Sequence, residues 1–198
     1  PEGLVIAESK AARSLLGLSR GTTVLRLYDP LTQRDDWSVE CPSGTYLSLM
    51  EDDYLAALEP DGQLILLDLQ TGRRQTMQGV TEEDLKSKSE LRVLSDHDNL
   101  YLIVNQRTRS RSYYYYGGNM GSVSVNGQMF AWNRHTGKFL WKEKLLGKQL
   151  LLMHFTHSPL LVFSTRNYQR AVNIGYYATT TLALDKYTGQ TKVDLSAP

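Results

Sequence analysis

The chain has 198 residues, 41% hydrophobic and 22% charged, with a formal net charge of +1. This is ordinary globular composition with enough apolar material for a packed core, and no run approaches the roughly 18 apolar residues of a membrane-spanning helix. The single cysteine, Cys41, excludes an internal disulfide framework and a cysteine-rich zinc site.

The near-neutral total hides an asymmetry. Residues 1–98 carry a balance of −8, whereas residues 99–184 carry +9 with Glu143 as their one acid. Such a split marks either a face for an anionic partner or two halves that complement their neighbours. The first residue is Pro1, with no charged-then-apolar leader after it, so the expectation is a trimmed portion of a longer protein.

In chain order, "AESKAARSLLG" (7–17) has helical propensity, but its place before a hairpin favours strand and loop. The hairpin is "LRLYDPLTQRDDW" (25–37). Strands follow at 45–50 and 54–59, then a second hairpin, "ILLDLQTGRRQT" (65–76). "TEEDLKSKS" (81–89) opens on a Thr81/Asp84 capping box and predicts a short helix. Strands at 91–95 and 99–107 precede a third hairpin, "FAWNRHTGKFLW" (130–141). Strands at 150–155 and 160–166 precede a fourth, "LALDKYTGQTKV" (182–193).

The hairpins share one turn. Asp29, Asp68, Asn133 and Asp185, spaced by 39, 65 and 52 residues, each end a strand and are followed by Thr and then Gly, with Gln33 replacing Gly in the first copy. A short carboxylate or amide there can accept hydrogen bonds from amides just ahead, and glycine supplies the positive φ of the reversal at Gly72, Gly137 and Gly189. Gln33 lacks that freedom, so the first copy is expected to turn differently or with some strain. Four short antiparallel strands per unit, radially repeated, is the pattern of propeller blades, so the predicted fold is all-β. The blades fall at about 1–41, 45–78, 91–146 and 150–196, within one partial propeller domain over 1–198.

The third hairpin, from Ala131 through Asn133, Thr136 and Gly137 to Trp141, resembles the A-x-D-x-x-T-G-x-x-x-W repeat of quinoprotein-like (PQQ-like) β-propellers. The first copy keeps Asp29, Thr32 and Trp37. The second has Thr76 at the tryptophan position, and the fourth has Val193. The resemblance implies that the tryptophan packs between adjacent blades. It also implies a larger ring of which this chain is a part, and an extracytoplasmic location.

Catalytic members of that family hold pyrroloquinoline quinone beside an adjacent-cysteine disulfide, with Ca²⁺ on Glu, Asn and Asp. This chain has no cysteine pair, so the expectation is no catalytic residue, no cofactor and no metal; the runner-up reading is part of a quinone-dependent dehydrogenase. His154 and His157 form H-x-x-H, but strand periodicity would send them to opposite faces. "DHDN" (96–99) lacks the glycine and distal Glu of a calcium loop. His135 is expected to be solvated within its turn.

The unusual stretches are "RTRSRSYYYYGGNMGS" (107–122) and "RNYQRAVNIGYY" (166–177), read as enlarged loops between the second and third strands of the last two blades. In a propeller such loops share a face. They would gather Arg107, Arg109, Arg111, Tyr113, Tyr114, Tyr115 and Tyr116 with Arg166, Tyr168, Arg170, Tyr176 and Tyr177. Arginine with tyrosine suits a protein or peptide partner or an anionic polymer such as single-stranded nucleic acid. A small-molecule site and an ordinary solvated hairpin remain open. The functional expectation is a non-catalytic interaction or scaffold module.

Overall fold

The computed structural model describes residues 3–10, 21–50, 53–106, 121–171 and 174–195. Among them, antiparallel strands dominate and helix is confined to the four residues of α1, Glu82–Leu85. That short helix opens as expected: Thr81 and Asp84 form a reciprocal capping box. It ends sooner than expected, because residues from Lys88 onward join the next strand. The chain divides into two compact units, Pro1–Lys86 and Ser87–Pro198.

The first unit holds two sheets. One is ordered β1 (Leu4–Lys10), β2 (Thr22–Asp29) and β3 (Arg34–Pro42). The other is β4 (Tyr46–Leu49), β5 (Tyr54–Leu58), β6 (Leu64–Asp68) and β7 (Arg74–Met77). The central strands β5 and β6 are apolar almost throughout and buried almost throughout, as strands covered on both faces must be. Leu25, Val39, Cys41, Leu55 and Leu67 form a core shared by the two sheets.

The second unit is one seven-stranded sheet, in the order β14 (Thr191–Leu195), β13 (Ile174–Asp185), β12 (Leu160–Ala171), β11 (Phe139–Leu151), β10 (Ser122–Asn133), β9 (Asn99–Gln106) and β8 (Lys88–Ser95). The separate strand expected at 150–155 is absent. Instead β11 runs through to Leu151, and 153–157 is turn. Gly147, at φ 61°, lets the strand change direction without breaking. Its amide donates to Asn126 Oδ1, and the Asn126 backbone amide donates to Asn105 Oδ1, so the bulge between Val125 and Gly127 leaves these amides satisfied. Beyond the bend, Gln149 and Leu150 pair with Ser164 and Phe163 of β12, so one strand serves both four-stranded repeats.

The repeated turns form as their chemistry dictates. Asp68 Oδ1 accepts from the amides of Gln70 and Thr71, both at 2.9 Å. Asn133 and Asp185 do the same for His135 with Thr136 and for Tyr187 with Thr188. Gly72, Gly137 and Gly189 take φ of 69°, 69° and 70°, and Gln33 takes 58°, so of the two expected outcomes for the first turn it is strain that is observed.

Two tryptophans join successive hairpins in the same way. Trp37 Nε1 donates to the Leu69 carbonyl at 2.9 Å, and Trp141 Nε1 donates to the Lys186 carbonyl at 2.8 Å. Leu69 and Lys186 are the residues just after the turn Asp in their hairpins. Each indole covers the turn glycine: a Cβ on Gly72 or Gly189 would sit 2.8 Å from the Cγ of Trp37 or Trp141. Glycine is therefore required here both for its φ and for the indole's approach.

Candidate functional site

Three turns of the second unit meet at one end of its sheet: 96–98 between β8 and β9, 134–138 between β10 and β11, and 186–190 between β13 and β14. Register starts the convergence, because Asn99 of β9 stands opposite Asn133 of β10. The amide of Arg134 then donates to the Asp98 carbonyl, and Arg134 Nη1 donates to the Asp96 carbonyl.

Beneath the surface lies an ion pair. Lys186 Nζ is 2.7 Å from Asp96 Oδ2, with the two side chains only 4% and 5% exposed. A buried pair is tolerated only when its remaining hydrogen bonds are filled. Here Asp96 Oδ1 accepts from the amides of Asp98 and Asn99, and Oδ2 also accepts from the Tyr101 hydroxyl. Lys186 donates a further bond to the Phe155 carbonyl and lies over the Phe155 ring at 4.7 Å. Burial, then the Asp96 charge, pushes the Tyr101 hydroxyl far above its ordinary range, so it stays protonated and donating. Every group in this inner layer is committed to holding the turns together.

Above it is an outer layer open to solvent. His97 Nδ1 lies 2.8 Å from Asp98 Oδ1, and His135 Nε2 lies 3.9 Å from the same oxygen. The Tyr187 hydroxyl donates to the other oxygen, Asp98 Oδ2, at 3.0 Å. His97, and then Tyr187, hold the Asp98 carboxyl below its usual range. The Asp98 carboxylate in turn raises the Tyr187 hydroxyl. His135 is exposed, as expected, yet Nε2 also meets the His97 carbonyl at 2.9 Å. Two imidazoles and a carboxylate can exchange protons or hold a cation.

In the sequence His97 of "DHDN" and His135 stand 38 residues apart, and no motif joins them. The signal was available: pairing the strands on either side of 96–98 and 134–138 necessarily places those turns side by side. For His154 and His157 the expected reason for separation does not apply, since both lie in the 153–157 turn and not on a strand. His154 lines an apolar cleft of about 500 Å³ with Leu151, Met153, Phe155 and Val162. Cys41 borders a second cleft beside Glu40 and Asp61, and burial pushes its thiol up, which leaves little nucleophilic thiolate.

Of the predicted partner-binding residues, Arg107, Arg109, Arg111, Tyr113, Tyr114, Tyr115 and Tyr116 lie outside the described residues. The backbone of the second group is described, and it corrects the loop reading of 166–177. Arg166, Tyr168 and Arg170 belong to β12, while Tyr176 and Tyr177 belong to β13. The pairing places Tyr168 opposite Tyr177 and Arg170 opposite Gly175. Among the described residues, β11 meets β12 only at Phe163 and Ser164, and β14 meets β13 only from Thr181 to Leu184. From Arg166 and Thr179 outward, then, the two strands are paired among the described residues only to each other.

No protein-family model matches the chain, and no curated protein does. Among solved structures, 96% of the chain aligns with 44% of a chain in an S. cerevisiae assembly of dbp5 bound to nup159, gle1, ip6 and adp, at 13% identity and a TM-score of 0.38. The dihydro-heme d1 dehydrogenase NirN in complex with DHE aligns over 98% of this chain and 53% of its own, at 11% identity and a TM-score of 0.31. BamB from Moraxella catarrhalis aligns over 98% of this chain and 66% of its own, at 13% identity and a TM-score of 0.30. The chain thus spans between 44% and 66% of the length of these three structures. At these scores the likenesses carry no functional argument.

Proposed function

We propose that this chain is a set of quinoprotein-like β-propeller blades from a larger ring, acting as a non-catalytic interaction module outside the cytoplasm. Its docking element is the arginine- and tyrosine-rich pair of insertions. The observation that carries this reading is the β12–β13 hairpin, which among the described residues continues past the pairing of both strands with their neighbours. A fold has no need of such an extension, whereas alternating arginine and tyrosine suit a protein or peptide surface. The insertion after β9 supports the same reading, because β9 and β12 both begin beside the converged turns: Asn99 next to Asp96, and Pro159 bonded to Lys186. The blade reading rests on the repeated turn and on the two indoles that each cap the next hairpin's glycine.

The test is capture of a protein partner from extract of the source cells by the whole chain and by an Arg166→Ala/Tyr168→Ala/Arg170→Ala variant. The variant should lose at least about tenfold in capture, with its Tm within about 2 °C of the parent. Added salt should weaken binding by the parent, since exposed charges are screened over about 10 Å at 0.1 M. Equal capture by the two proteins, or unfolding of the variant, would refute the docking role.

A further inference from the structure

We propose that His97, Asp98 and His135 form a surface site for one divalent transition-metal ion of the Zn²⁺ type, which pins the 96–98 turn to the 134–138 turn. One ligand atom from each residue lies within 4.8 Å of the other two. In a tetrahedral zinc site with bonds of about 2.0–2.1 Å, neighbouring ligand atoms are about 3.3 Å apart. The observed separations of 2.8 Å and 3.9 Å about Asp98 Oδ1 bracket that value. Completing the geometry requires both rings to turn toward a common centre. His97 Nδ1 gives up its contact with the carboxylate, and His135 Nε2 exchanges the His97 carbonyl for the ion.

The backbone under the ligands is already fixed. The Asp98 amide donates to Asp96, the Asp98 carbonyl accepts from Arg134, and the His135 amide donates to Asn133. The Asp98 carboxylate is oriented from its far oxygen by the Tyr187 hydroxyl, the kind of outer hydrogen bond that steadies metal ligands. Two imidazoles with one carboxylate select zinc, copper or nickel over calcium and magnesium, which require mostly oxygen ligands. Exposure of the cluster leaves the remaining coordination positions to water.

Titration calorimetry of the whole chain with zinc chloride should show one equivalent bound. His97→Ala and His135→Ala should each weaken binding at least tenfold. The Tm of the parent should rise with zinc, because an ion that binds only the folded state stabilises it, and the rise should vanish in both variants. Paramagnetic resonance with Cu²⁺ should report two nitrogen donors in the parent and one in each variant. A His154→Ala/His157→Ala variant should bind as the parent does. The proposal fails if zinc does not bind at about millimolar concentration, or if binding survives in the His97→Ala/His135→Ala double variant. Should an alanine variant not fold, His97→Gln and His135→Gln keep a polar side chain at each exposed position and must show the same loss.

Discussion

Lys186 shows how one residue changes the use of a shared turn. Its counterpart in the first unit is Leu69, and both carbonyls receive an indole N–H from the preceding hairpin. Lys186 adds a charge that must be buried, and the structure surrounds it with Asp96, the Phe155 carbonyl and the Phe155 ring. Tyr101 completes that arrangement and imposes a pH limit. Its folded pKa lies above the unfolded value of about 10, so between the two the unfolded chain loses a proton that the folded chain keeps. The resulting contribution is fully present below about pH 10 and is lost as pH rises through the folded value. Tyr101→Phe should cost about 1 kcal/mol near neutrality through its lost hydrogen bond to Asp96. Urea unfolding of the variant should then decline less steeply above about pH 10 than that of the parent; parallel curves would place the hydroxyl in water.

The turn-and-indole unit is the recurring element, and its glycines meet two demands at once. Gly189→Ala adds a Cβ at φ 70° and 2.8 Å from the Trp141 ring. Left-handed strain and overpacking together should destabilise the chain by about 2–4 kcal/mol in denaturant unfolding. The first copy predicts the opposite sign. Gln33 already holds φ 58° and is exposed, so Gln33→Gly should stabilise by up to about 1 kcal/mol. A destabilised Gln33→Gly would mean that its side chain contributes more than the strain removes. The β12–β13 hairpin belongs to the same scale: Arg166, Tyr168, Tyr176 and Tyr177 lie on paired strands of the sheet, not on a loose loop.

For the whole molecule, each unit contains one indole-capped pair of hairpins, Trp37 over Gly72 and Trp141 over Gly189. At the corresponding position of the second hairpin stands Thr76, and the division between the units follows at Lys86. The sole cysteine, Cys41, is buried, so an adjacent-cysteine disulfide is chemically unavailable to this chain. Pyrroloquinoline quinone with Ca²⁺ should therefore neither bind stoichiometrically nor support alcohol or sugar oxidation. Equilibrium dialysis with the chain checks this, and a quinone-dependent activity abolished by substitution within residues 99–177 would overturn the non-catalytic reading.

Much of the fold was legible because its determinants are local. Alternating apolar runs specify strands, the Asp or Asn turn with Thr and Gly specifies hairpins, and Thr81 with Asp84 specifies the start of α1; all act within a few residues. Even the strain at Gln33 follows from the missing glycine. The tertiary structure alone decided what depends on distant partners. Continuation of β11 through Gly147 required the Asn126 side chain from the neighbouring strand. The buried Lys186–Asp96 pair joins residues 90 positions apart. The gathering of His97, Asp98, His135 and Tyr187 arises because three separate turns are brought to one end of a sheet, and the ion pair beneath them fixes where those turns meet.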